Sequence, residues 1–200
     1  MTPRRLSLSD ISDLREYERV RDEFRDRVMA LKRIRRVHVG PKITLVFENR
    51  ETMRFQIQEM ARVEKIITDE GIQAELDAYN PLIPEPGELS ATMFLELTSE
   101  PELREWLPKL VGVERSVELR LGEGPSVAVI PAGLDRDHEA QLTRDHTTAS
   151  VHYLNWKFDD DAVARFEKGP VRLAITHDEY QEETELGPHT VASLLEDLRS

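Results

Sequence analysis

The chain of 200 residues carries 39 Asp and Glu against 27 Lys and Arg, a net charge of −12, with 39% apolar residues. That apolar share suffices for the core of one domain of ordinary size or of two small ones packed together. Cysteine is absent, which excludes disulfides, thiolate catalysis and an iron–sulfur cluster on cysteine ligands, so a metal would need His, Asp and Glu.

Taken in order, Ser7 or Ser9 can cap a helix over 10–35, with Asp10 and Asp13 well placed in its first turn. Leu14, Tyr17, Phe24, Val28 and Leu31 repeat at heptad spacing along it. The stripe suits packing on the protein's own body, or a seam between two copies of the chain, since such a helix would be roughly 40 Å long. Val37 and Val39 make a short strand, and Gly40-Pro41 turns the chain. Folding 42–57 about Arg50 sets Phe47 opposite Met53, Leu45 opposite Phe55 and Ile43 opposite Ile57. That symmetry predicts a β-hairpin, 42–48 with 52–57, buried on one face and carrying Arg54, Gln56 and Gln58 on the other. A helix starting at Asn49 is the rival, because Met53, Ile57 and Met60 also fit a helical stripe.

Short helices follow near 58–67 and over 69–78, and NPLIPEPGE at 80–88 breaks the pattern with three prolines and a glycine. Beyond it come a strand at 91–98, a helix capped by Ser99, strands at 116–121 and 126–130 forming a hairpin, and a polar stretch over 131–148. A strand at 150–158, a helix at 160–167, a strand at 171–176, an acidic loop and a helix at 189–198 complete the chain. The expected fold is α+β: a long N-terminal helix, a hairpin and short helices in a module over 1–86, then a mixed sheet built from two βαβ-like units over 87–200. The second module would be a variant of the ferredoxin-like arrangement. One compact domain is the alternative.

Charge is uneven. Residues 1–42 hold 12 Lys and Arg against 7 Asp and Glu, while the rest holds 15 against 32. Aromatic residues are not interleaved with the basic ones, which argues against nucleic acid. No apolar run approaches the roughly 18 residues of a membrane span, and the N-terminal arginines have no apolar stretch behind them, so a cytoplasmic protein is expected.

Five of the six histidines lie between 138 and 189. His138, His146 and His152 could gather at one sheet end as an N/O metal site, with His177, Asp178 and His189 at the other, although no HExxH-type spacing supports either group. No nucleophile motif and no phosphate-cradling loop is present. No catalytic residue and no cofactor is expected on this pattern.

RRVHVGP, LVFENRETMRFQIQEM, NPLIPEPGELSATMFLELT, ELREWLPKLVG and VHYLNWKF together resemble a bacterial family known only as a domain of unknown function. The resemblance spans almost the whole chain and implies no activity. It does imply a setting, since the family's genes resemble companions of rubrerythrin-like and heterodisulfide-reductase-like iron–sulfur protein genes, which points to redox or peroxide-stress chemistry. The leading expectation is therefore a non-catalytic accessory or interaction protein, with a rubrerythrin-like or iron–sulfur protein as partner and a homodimer through 10–35 as an option. The alternatives are a His/Asp metal enzyme or carrier, and a small-ligand binding module in the cleft between the hairpin and the βαβ part.

Overall fold

The structure, a computed structural model, describes residues 4–134 and 147–199. Helix α1 (Leu14–Arg35) opens on Asp13, whose side chain accepts from the Glu16 N–H, and closes on Lys32, Arg33 and Arg35, cations at the negative end of the helix dipole. A single 3-10 turn, Leu8–Asp10, stands before it.

Strands β1 (Arg36–Val39) and β2 (Ile43–Glu48) then form an antiparallel hairpin. The long helix followed by a hairpin is thus present, one strand earlier than expected. The predicted second strand over 52–57 is instead part of helix α2 (Arg50–Glu64). Asn49 caps it: its side chain accepts from the Glu51 and Thr52 N–H groups at 3.1 Å, and the Thr52 hydroxyl bonds the Asn49 N–H in return at 2.9 Å. The alternation of Met53, Phe55 and Ile57 has a helical cause. At 100° per residue, positions 53 and 55 lie on opposite sides of a helix, and α2 is buried on both. Met53 and Ile57 join a cluster with Leu76, Leu82 and Ile83, while Phe55 joins Tyr17, Phe24 and Val28 of α1.

Helix α3 (Asp69–Tyr79), β3 (Glu88–Leu95), α4 (Glu100–Lys109), β4 (Val117–Leu121), β5 (Ala128–Pro131) and β6 (Gly133–Leu134) follow. After them come β7 (Val151–Lys157), α5 (Asp160–Lys168), β8 (Val171–His177), β9 (Tyr180–Glu185) and α6 (Pro188–Arg199). The first sheet runs β1-β2-β3-β7-β6 and the second β5-β4-β8-β9, each antiparallel throughout its described pairs. The α+β class therefore stands, but the strands flanking α4 (β3, β4) and α5 (β7, β8) sit in different sheets, so neither unit is a parallel βαβ crossover. Strand composition gives the reason: β4 reads VELRL with burial alternating along it, the mark of an antiparallel strand with one face on a core.

The inner faces of the two sheets share the main core. Leu45, Phe47, Met93 and Trp156 of the first meet Leu119, Leu121, Leu173 and Ile175 of the second. The first sheet takes β1 and β2 from one side of the 80–88 loop and β3 and β7 from the other. Its outer face, with Val46, Thr92 and Tyr153 in register and Glu48 opposite Ser90, lies on the side of the cluster formed by Met53 and Ile57 of α2 and Leu76 of α3. The outer face of the second sheet carries Glu118, Arg120, Arg172 and Glu183 as a lattice of ion pairs. The acidic stretch after His177, expected to be a loop, forms the edge strand β9. Its charged side chains suit an edge, where they discourage pairing with another chain.

Candidate functional sites

His138 and His146 fall outside the described residues. His152, the second residue of β7, stands opposite Met93 on the inner face and is 4% exposed. Its Nε2 lies 2.9 Å from the Ala149 carbonyl oxygen and 3.0 Å from the Thr148 hydroxyl. A carbonyl only accepts, so Nε2 carries the proton. Burial pushes the ring below its usual 6.5, while the Glu114 carboxylate and the Ala149 carbonyl oppose that shift. Glu114 is itself 2% exposed, and its Oε2 has no hydrogen-bond partner. His177 is engaged as well: Nε2 lies 3.1 Å from the Val111 carbonyl oxygen, and Nδ1 accepts from Glu179 N–H at 3.2 Å. Among the described residues no three His, Asp or Glu side chains form a metal-binding group. The expected placement of the His152 and His177 groups at opposite ends of one sheet also lapses, since β7 and β8 belong to different sheets.

Of the three polar residues placed on the expected hairpin, two fasten the N-terminal segment to α2. Gln58, 1% exposed, accepts from Ser12 N–H at 3.1 Å and donates to the Ser12 carbonyl at 2.8 Å. Arg54 donates to the Asp10 carbonyl at 2.9 Å. Beside them Glu59 takes two hydrogen bonds from Arg21, at 2.8 and 2.9 Å, and one from Tyr17, at 2.7 Å. Arg21 holds its carboxyl down at about 2, against the effect of burial and with help from Tyr17. These contacts bind the N-terminal segment and α1 to α2, and Arg54 and Gln58 also line a groove of about 210 Å³ with Tyr17, Phe24 and Arg27 of α1.

Sequence reading missed a second buried carboxylate. Glu48 ends β2 and is 4% exposed; Oε1 accepts the Thr92 hydroxyl at 2.7 Å, and Oε2 has no partner. Leaving such an oxygen bare costs about 1–3 kcal/mol, more when the group is charged. Tyr153 stands across from Thr92 in the register. Burial, then Tyr79 and Glu48, raise its phenol above the usual 10. The only signal in the sequence is an acid closing the apolar run ITLVF.

The third feature is a groove of about 160 Å³ between the 3-10 turn, the end of α2 and the start of α3, lined by Leu8, Ile11, Leu14, Ile66, Ile67 and Ile72. Ile67 is 82% exposed and Leu8 38%. Asp13 and Asp69 also line it.

Fold and sites together define an α+β protein whose two antiparallel sheets share one core, with no helix among the described residues long and apolar enough to cross a membrane. The family model described as "Protein of unknown function (DUF3501)" matches residues 5–198, and the chain belongs to that family. A solved structure from Burkholderia pseudomallei K96243, described as a novel protein of unknown function, is 37% identical, with 96% of this chain and 98% of that one covered and a TM-score of 0.87. No curated protein matches the chain.

Proposed function

We propose that this protein is a non-catalytic interaction module that docks a basic amphipathic helix into the groove between the N-terminal turn and α3. The observation that carries the reading is Ile67, an isoleucine left 82% exposed at the mouth of an apolar groove. Water contact over that much aliphatic surface is unfavourable, and a partner's apolar stripe would remove it. The acids at the rim, Asp13 and Asp69, select a partner with lysine or arginine flanking that stripe. The protein's net charge of −12 steers the same partner from a distance. The redox setting rests on the family resemblance and makes a rubrerythrin-like or iron–sulfur protein the first natural partner to assay.

The test uses defined probes: two synthetic amphipathic helices with leucine on one face and lysine or glutamate on the other. The lysine peptide binds the wild-type chain at low salt and weakens at high salt; the glutamate peptide does not bind. Ile67→Asp, at an exposed position that leaves the fold intact, abolishes binding. Equal binding of the lysine peptide by wild type and I67D would sink the reading.

A further inference from the structure

Two cations line the open groove of about 210 Å³ between α1 and α2, and one ring takes both: the guanidinium carbons of Arg27 and Arg54 lie 5.1 and 5.2 Å from the centroid of Phe24. Neither cation has a carboxylate at hydrogen-bond distance. Arg54 spends its Nε on the Asp10 carbonyl, at 2.9 Å, and its ion pair with Glu51 is a loose one at 3.9 Å. Arg27 has no hydrogen bond and no ion pair among the described residues. Glu23, also on the groove, stands four positions before it, the spacing and order at which helical ion pairs form, yet the two are not paired. Other polar groups of the groove are spent, the Tyr17 hydroxyl on Glu59 and the Gln58 amide on the Ser12 backbone. Val20, 49% exposed, supplies an apolar wall.

We propose that this groove binds a small organic anion, its oxygens on Arg27 and Arg54 and its apolar body against Val20. A guanidinium only donates, so the ligand must accept. Carboxylate and phosphate oxygens match the planar fork of arginine and make the stronger, charge-assisted hydrogen bonds. An anion also offsets the mutual repulsion of two like charges set beside one ring. A cationic ligand meets that repulsion instead, and the ring face that would attract it is already taken by the two guanidiniums. At about 210 Å³ the groove is smaller than the roughly 300–1,000 Å³ that drug-sized ligands occupy, so the body is one ring or a short chain. The exposed Glu23 carboxylate works against the anion, and its removal should tighten binding.

The experiment is calorimetric titration of the full chain at low salt with phenylacetate and phenyl phosphate, with acetate, neutral phenylacetamide and cationic phenethylamine as comparisons. At least one of the two aromatic anions binds saturably, which also tells carboxylate from phosphate; phenylacetate binds more tightly than acetate, and the neutral and cationic analogues do not bind. The variants sit at exposed positions of α1, where the fold tolerates them. Arg27→Gln lowers affinity about tenfold or more, equivalent to about 1.4 kcal/mol, and Glu23→Gln raises it. Arg25→Gln, which removes the same charge from α1 outside the groove, leaves affinity unchanged. No saturable binding by either aromatic anion, equal affinity in wild type and R27Q, or equal losses in R25Q and R27Q overturns the proposal. The docking groove shares only Ser12 with this one, and the variants leave Ser12 and Ile67 untouched, so either reading can fail alone.

Discussion

Arg35 and Asp197, 162 positions apart in sequence, form an ion pair in which the arginine is 1% exposed and the aspartate 15%. Arg35 also donates to the carbonyls of Phe47 at 2.8 Å and Glu48 at 2.9 Å and to the Ser193 hydroxyl at 3.1 Å. One guanidinium therefore joins the last turn of α1, the end of β2 and helix α6. Burial pushes the Asp197 carboxyl up, and Arg35 works against that shift.

Removing the arginine takes from the partly buried Asp197 its hydrogen-bonded cation, with Arg4 remaining as a charged neighbour, and takes a donor from two strand-end carbonyls. Arg35→Met should cost about 3–5 kcal/mol, read as a shift of the urea midpoint at unchanged slope. Arg35→Lys should recover only part of it, because one ammonium cannot reproduce the planar fork. A loss under about 1 kcal/mol in R35M would show that the pair contributes little.

Glu59 predicts an acid limb. Its carboxyl is held by Arg21 at about 2 in the folded chain, against an ordinary 4.5. A depressed acid adds stability above the unfolded value and loses it as pH falls through the folded one. The melting temperature should therefore decline between about pH 4.5 and pH 2. In Glu59→Gln the decline over that window should flatten, with a lower plateau at neutral pH. Parallel curves for the two proteins would contradict the assignment.

His152 predicts a second, milder slope. Burial lowers its ring below 6.5, so the unfolded chain takes up the proton first as pH drops. Stability is complete above about pH 6.5 and falls from there through the folded value. The imidazole signals in an NMR titration should move only below pH 6.5 for this ring, and His152→Gln should remove its share of the slope.

Gly40 predicts a steric limit. It sits at φ +66° in the β1–β2 turn, and a Cβ there would stand 2.5 Å from the Tyr180 hydroxyl oxygen. That hydroxyl is already committed, donating to the Val39 carbonyl at 2.7 Å and accepting from Lys42 N–H at 3.0 Å. Gly40→Ala should cost about 1–3 kcal/mol from overpacking and left-handed strain. Tyr180→Phe should cost about 1–2 kcal/mol from the lost hydrogen bonds. Chemical denaturation reads both.

How much was legible differs by element. Helix α1 could be read because its stripe of Tyr17, Phe24 and Val28 faces one partner surface. Helix α2 was misread because it has two: Met53 and Ile57 toward one cluster, Phe55 toward another, a pattern that mimics a strand. The Asn49-x-x-Thr52 reciprocal cap was the local signal that separates the two readings. Strand β9 was missed because only Tyr180 in it is buried. Of the candidate sites, His152 was visible as a residue, but its engagement with Ala149 and Thr148 was not.

Sequence alone determined the α+β class, most element positions, the turn at Gly40-Pro41, the hairpin of the strands at 116–121 and 126–130, the cysteine-free chemistry and the family. Those follow from periodicity, capping residues and composition, which act over a few neighbouring residues. Only tertiary structure decided which sheet each strand joins, which face of α2 meets which partner, and that Glu48 and Glu114 are buried carboxylates with a bare oxygen. Those outcomes depend on contacts between residues tens of positions apart. An acid at a strand end looks the same in sequence whether water or a packed helix covers it.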